Sequence, residues 1–152
     1  MDLLLALILL VMTSSGLEAF ETHRRICHSN EVDVGIRKAS WEPVAIHTCV
    51  PGPRTHECFA IVGTDGFNCT GDFHLQGGLP HQRSMCCNRL NHQLVGCTLP
   101  LRSFSFQRGF DIQLGTKVIR SIKPSPTQSD ITAFRVEICS LFPPAYDPFL
   151  KK

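Results

Sequence analysis

From Phe20 to Lys152 the chain lacks any apolar run approaching the roughly 18 residues of a membrane-crossing helix, and its end, "AYDPFLKK", is not the hydrophobic tail of a lipid-anchor signal. No membrane span is expected. Basic runs are missing too: Arg24-Arg25, Arg37-Lys38 and Lys151-Lys152 are isolated pairs. Scattered charge of this kind keeps a protein soluble and makes no stripe for nucleic acid. A basic face for acidic glycans or membranes is a minority reading. Nor is there a Gly-x-Ser-x-Gly elbow, a His-Glu-x-x-His pair or a Gly-rich phosphate loop. The acidic residues are dispersed, so no carboxylate pair for glycosidic chemistry stands out. The chain is accordingly read as a non-enzyme. No catalytic, cofactor-binding or metal-binding residue is nominated, and a secreted hydrolase ranks third among the functional readings.

A shorter apolar run does exist, from Leu3 to Met12, followed by small and polar residues and a cleavage point after Ala19 or Gly16. That pattern predicts a secretory signal peptide over 1–19, although its front segment carries Asp2 and no Lys or Arg. Its removal takes Asp2 and Glu18 from the 13 acidic residues and none of the 15 basic ones, so a net charge of +2 becomes about +4. The mature chain is long enough for one domain with a real core, since chains of this size bury about two thirds of their unfolded surface. The expected location is secreted and extracellular.

Cysteines are plentiful. All eight, Cys27, Cys49, Cys58, Cys69, Cys86, Cys87, Cys97 and Cys139, lie beyond the signal peptide. An even count in an oxidising compartment reads as four disulfides of open connectivity. A bridge between adjacent Cys86 and Cys87 would be strained, so these two are expected to reach different partners. Each closed loop stabilises by about 3 to 4 kcal/mol in the chain-entropy model, and the bridge ending at Cys139 closes a long one.

The hydropathy pattern predicts an all-β or β-dominated fold. "EVDVGIR" alternates Val32, Val34 and Ile36 against charged or small residues, and "CFAIV" is an apolar run of strand length. "SFSFQRGFDIQL" reads as a hairpin with one buried face made of Phe104, Phe106, Phe110, Ile112 and Leu114, which "TKVIRSI" continues. "ITAFRVEICSLF" sets Phe134, Val136 and Ile138 against Arg135 and Glu137. The stretch 80–92, "PHQRSMCCNRLNH", is compatible with one short helix, because Met85, Arg89 and Leu90 fall at helical spacing behind Pro80. The domain is placed at 20–142, with a flexible proline-rich tail at 143–152.

"IHTCVPGPRTHEC" carries His47 with Cys49 and His56 with Cys58 around a Pro-Gly-Pro turn. Zinc ligand pairs are normally two to four residues apart, whereas these have one residue between them, and a secretory lumen oxidises thiolates. The reading is two strand cysteines flanked by surface histidines. The seven histidines, all between His23 and His92, read as exposed polar residues rather than as a pH switch. "NCT" makes Asn68 the N-glycosylation acceptor, with oxidation of Cys69 in competition. "PPAY" and "HRR" are read as a proline-rich extension and a plain basic pair.

The loop between Cys49 and Cys58 is the candidate contact surface: Pro51, Gly52, Pro53, Arg54 and Thr55, stiffened by proline, with a basic residue near its tip. With one signal peptide, one eight-cysteine domain and a central "CCNR", the chain resembles small secreted cysteine-rich families of nematodes whose function is unassigned. That resemblance implies an extracellular disulfide-stapled domain and no mechanism. The functional expectation is an extracellular binding or structural module with a protein or glycan partner, no cofactor and no nucleic acid. The alternative is a protease inhibitor or effector acting through the 51–55 loop.

Overall fold

The computed structural model describes residues 21–63, 66–79 and 83–144. The predicted signal peptide and most of the predicted tail lie outside these. The described residues form twelve strands and no helix: β1 (Thr22–Arg24), β2 (Glu31–Ala39), β3 (Ile46–Pro51), β4 (Thr55–Val62), β5 (Phe67–Asn68), β6 (His74–Gly77), β7 (Arg83–Arg89), β8 (Gln93–Thr98), β9 (Phe104–Ser105), β10 (Gly109–Gln113), β11 (Lys117–Pro124) and β12 (Ala133–Phe142). The all-β expectation holds.

Two antiparallel sheets result. The large one runs β1-β3-β2-β10-β9-β12-β11-β5, with β8 also paired to β12, and the small one runs β4-β7-β6. Ile36, Ile112, Ile119, Ile122, Phe134 and Val136 of the large sheet pack against Leu75 and Cys86 of the small one, forming the core between the sheets. A second cluster, Val32, Val34, Val50, Val118, Cys139 and Leu141, draws on the large sheet alone. That sheet therefore curls until β2 lies against β11.

The alternation in β2 is broken by a bulge. Asp33 pairs with Cys49 and Gly35 with Thr48, leaving Val34 as the extra residue. One inserted residue inverts the faces that follow. Val32 and Ile36, four apart and expected on one face, consequently serve different cores, and Ile36 joins Asp33 and His47 on the side toward the small sheet.

The helix considered for 80–92 does not form. Arg83–Arg89 is the middle strand of the small sheet, and Gln93 opens β8. The reason lies in the adjacent cysteines, because neighbouring residues of a strand point to opposite faces. Cys87 bonds to Cys58 across the β4–β7 pair and Cys86 to Cys69 beyond β5, a divergence that one helical face does not allow. The predicted β9–β10 hairpin is present, with Gly109 opposite Ser105, and the predicted final strand is β12. β11 does not extend that hairpin; it pairs with β12 and β5 instead.

Candidate functional site

All eight cysteines are paired, as Cys27–Cys49, Cys58–Cys87, Cys69–Cys86 and Cys97–Cys139. Four disulfides are the chemistry of an oxidising environment. Cys49 and Cys58 are thereby occupied, and the two His-x-Cys pairs do not converge. His56 stays exposed near Glu57, while His47 is fully buried.

The burial of His47 and His74 corrects the expectation that the histidines are surface residues. His47 Nδ1 is hydrogen-bonded to Asp33 Oδ2, and its Nε2–H donates to the Gly78 carbonyl at 2.9 Å. Gly78 has φ +84°, a conformation that side chains resist, and its own amide donates to Arg25 O at 3.1 Å. An acid–base pair inside the fold thus fixes the end of β6 against β2 and β3.

Beside it lies a second buried polar group centred on Arg89. Its Nε donates to Pro53 O at 2.9 Å, Nη1 to His74 Nε2 at 2.7 Å, and Nη2 both to Gln76 Oε1 at 3.2 Å and to Glu31 O. Gln76 Nε2 donates to the carbonyls of His28 and Glu31, at 2.8 and 2.9 Å. His74 accepts from Arg89, so its remaining proton sits on Nδ1, which faces Leu75 O at 3.3 Å. Burial first, and the neighbouring Arg89 charge second, push its pKa down to about 3. Glu31 is held below its ordinary value although burial works to raise it, because the His28 amide, Arg24 and Thr22 all bond its carboxylate.

These groups make stability depend on acid. Between pH 6.5, the ordinary histidine value, and about 3 the unfolded chain takes up a proton that folded His74 refuses. Stability therefore falls as pH drops through that window, with a slope approaching about 1.4 kcal/mol per pH unit. The lowered Glu31 adds to the loss at the acid end. The expected result is a urea midpoint level above pH 7 that declines steadily from pH 6 to pH 4. A midpoint unchanged down to pH 5 would contradict a neutral, buried His74.

The predicted contact loop is clamped from inside by this network. The Gly52 amide donates to Asn30 O at 3.0 Å, the Thr55 amide to Ser29 O at 2.8 Å, and Pro53 O receives Arg89. Pro51 and Arg54 point outward into solvent, and Gly52, Pro53 and Thr55 are half-buried. Cys49 and Cys58 anchor the loop to two different partners, Cys27 and Cys87, instead of closing it on itself. Asn68 is exposed at the end of β5, and the neighbouring Cys69 is fully buried in its bridge.

A different surface emerges at the other end of the large sheet, which no single stretch of sequence announces. Ala39, Gly109, Ser105 and Ala133 are successive pairing partners across β2, β10, β9 and β12. The segments at this end enclose a hollow of about 390 Å³ whose lining includes Arg102, Phe104, Arg108, Thr127, Ser129 and Asp130. Arg102 stands over the Phe104 ring, 5.1 Å from its centroid, and Phe104 leans on Phe134 in the core. Arg135 supports the approach to β9 by donating to Pro100 O and Leu99 O at 2.8 and 2.7 Å. The 125–132 turn is bonded to itself: Asp130 Oδ1 accepts from the Thr132 amide and hydroxyl at 2.9 and 2.6 Å. Hydrogen bonds from Ser105 and Thr132 hold the Asp130 carboxyl below its usual range.

Around this hollow stand three large apolar side chains that the fold leaves in water: Trp41 at 82%, Leu101 at 87% and Ile131 at 81% exposure. Leu101 precedes Arg102 and Ile131 follows Asp130, both of which line the hollow. Trp41 follows Ser40, whose amide would touch a Cβ on Gly109. Single exposed apolar residues are ordinary; three of this size at one end, on turns otherwise well bonded, make this end a candidate contact surface. No family model, no curated protein and no solved structure matches the chain.

Proposed function

We propose that the protein is a secreted extracellular binding module whose contact surface is the end of the large sheet bearing Trp41, Leu101 and Ile131. The carrying observation is that Leu101 and Ile131 adjoin residues lining one arginine-bearing hollow, that Trp41 lies on the turn after β2 beside Gly109 of the same lining, and that each is more than four-fifths exposed on turns held by hydrogen bonds. Such a surface is prepared before binding, which lowers the ordering cost of association. Secretion is supported by the 1–19 signal pattern and four disulfides, and the exposure of Asn68 suits a glycan there. Asn68 lies on β5 and is not among the residues lining the hollow.

The test is affinity capture from the native extracellular fluid with the oxidised, glycosylated protein. A ligand retained by the native chain and lost by the triple variant Trp41→Ser, Leu101→Ser, Ile131→Ser is expected. Equal capture by both would move the binding surface elsewhere. Asn68→Gln should remove one glycan's mass on a gel and leave capture unchanged.

The clamped 51–55 loop favours a second reading, protease inhibition through exposed Arg54. Sub-micromolar inhibition of trypsin with Arg54 left uncut supports it; rapid cutting after Arg54 ends it. The Gly52 and Thr55 amides are turned inward to Asn30 and Ser29, so they are not free to pair with a protease, which ranks this reading second.

A further inference from the structure

Resting on the binding-module reading, we infer that the Trp41–Leu101–Ile131 end docks on the surface of a bilayer containing anionic phospholipid. The three tips come from separate turns, and what they offer outward is apolar bulk. Lipid interfaces take up such side chains to the depth of the headgroup boundary, with tryptophan favoured at that level. A sugar ring uses an aromatic platform but gains little from an isolated leucine and isoleucine, so the two aliphatic tips favour lipid over glycan.

Charge supplies the second argument. The hollow's two carboxylates are held by neutral donors, Asp130 by Thr132 and Asp111 by Gln113 Nε2 at 2.8 Å, and the Arg108 charge acts on Asp130 through space without closing an ion pair. Arg102 and Arg108 are exposed, and among the described residues neither joins an ion pair. Lys38, whose ammonium donates to Phe106 O at 3.2 Å, brings a third positive charge to the same end. A phosphodiester oxygen placed in the hollow can therefore meet two forked donors while the tips enter the interface beside it. Arginines near an anionic surface each add a severalfold increase in partitioning.

Trp41 is the single tryptophan of the chain, so its emission reports on this surface alone. The full oxidised protein is titrated with vesicles of phosphatidylcholine, with and without about a third of phosphatidylserine, while emission and co-sedimentation are followed. The expected result is a blue shift on the anionic vesicles, binding about tenfold weaker or more on neutral ones, and quenching by lipids brominated near the headgroup. The variant Leu101→Ser, Ile131→Ser, which retains the reporter, should lose about a hundredfold in partitioning with its thermal unfolding unchanged. Arg102→Gln with Arg108→Gln should erase the preference for anionic lipid. Unmoved emission with both vesicles overturns the inference, as does binding untouched by Leu101→Ser, Ile131→Ser. A shift produced by heparin in place of vesicles would assign the surface to sulfated glycan and also overturn it. If vesicles fail while capture from extracellular fluid is still lost in the triple variant, the binding-module reading stands and only the lipid inference falls.

Discussion

Replacing Arg89 by alanine should lower the unfolding free energy of the oxidised protein by about 3 to 5 kcal/mol, the range for removing one partner from a buried charged network. The side chain is almost wholly buried and its guanidinium serves four acceptors, Pro53 O, His74 Nε2, Gln76 Oε1 and the Glu31 carbonyl. Burial lowers its pKa to about 10, with the Asp33 carboxylate acting in the opposite direction, so it remains a cation at neutral pH. Alanine leaves His74 Nε2 and Gln76 Oε1 without this donor inside the fold, and an unmatched buried polar atom loses the solvation that water gave it. Lysine keeps a charge but has no planar fork, and should recover less than half of the loss. Urea unfolding measures the stability. Trypsin reports the local part: with Pro53 O released, cutting after Arg54 should quicken well before the global midpoint is reached. A loss below about 1 kcal/mol, or an unchanged cutting rate, would show that the 51–55 loop is held by its Asn30 and Ser29 bonds alone.

The second large effect concerns the bridges. Converting Cys97 and Cys139 to serine opens a loop whose ends lie 42 residues apart and should cost about 4 kcal/mol; the pair Cys69 and Cys86, 17 apart, should cost about 3. Cys97–Cys139 also pins β8, which hydrogen-bonds to β12 and lies off the main strand path. Denaturant midpoints of the two double variants give the order. A reversed order would mean that packing outweighs chain entropy, since Cys69 and Cys86 are both fully buried and their bridge joins a strand end of the large sheet to the small sheet.

The strands were legible wherever apolar residues recur at every second position on one face. Phe104, Phe106, Phe110 and Ile112 announced the β9–β10 hairpin, and Phe134 and Val136 announced β12, because each of these segments packs a single side on the core. β2 misled in detail: a bulge leaves no mark on a Val-Asp-Val-Gly-Ile pattern, so the change of face after Val34 emerges only from pairing with β3. β7 misled in kind, since three residues at helical spacing are a local signal and the constraint that decides the element, two adjacent cysteines with distant partners, is not local.

The polar interior was illegible for a related reason. His47, His74, Gln76 and Arg89 look like the solvent side of amphipathic strands, and their burial goes with long-range bonds, Gln76 and Arg89 to the 27–31 and 51–55 segments, His74 to Arg89, and His47 to Asp33 and Gly78. The proposed contact surface was hidden by chain distance. Ile131 comes 90 residues after Trp41, and only the pairing of β2, β10, β9 and β12 brings their turns to one end.

Cut once anywhere between Pro51 and Glu57, the oxidised chain would become two molecules, since Cys27–Cys49 closes wholly before that stretch and the other three bridges close wholly after it. Covalently the protein is three rings in a row, 27–49, 58–87 with 69–86 nested inside it, and 97–139. Yet β2, from the first ring, sits in the middle of the large sheet beside β10, from the third. A chain nicked after Arg54 would therefore behave as a heterodimer, its halves joined by main-chain hydrogen bonds and shared core and separating only when the sheet itself comes apart.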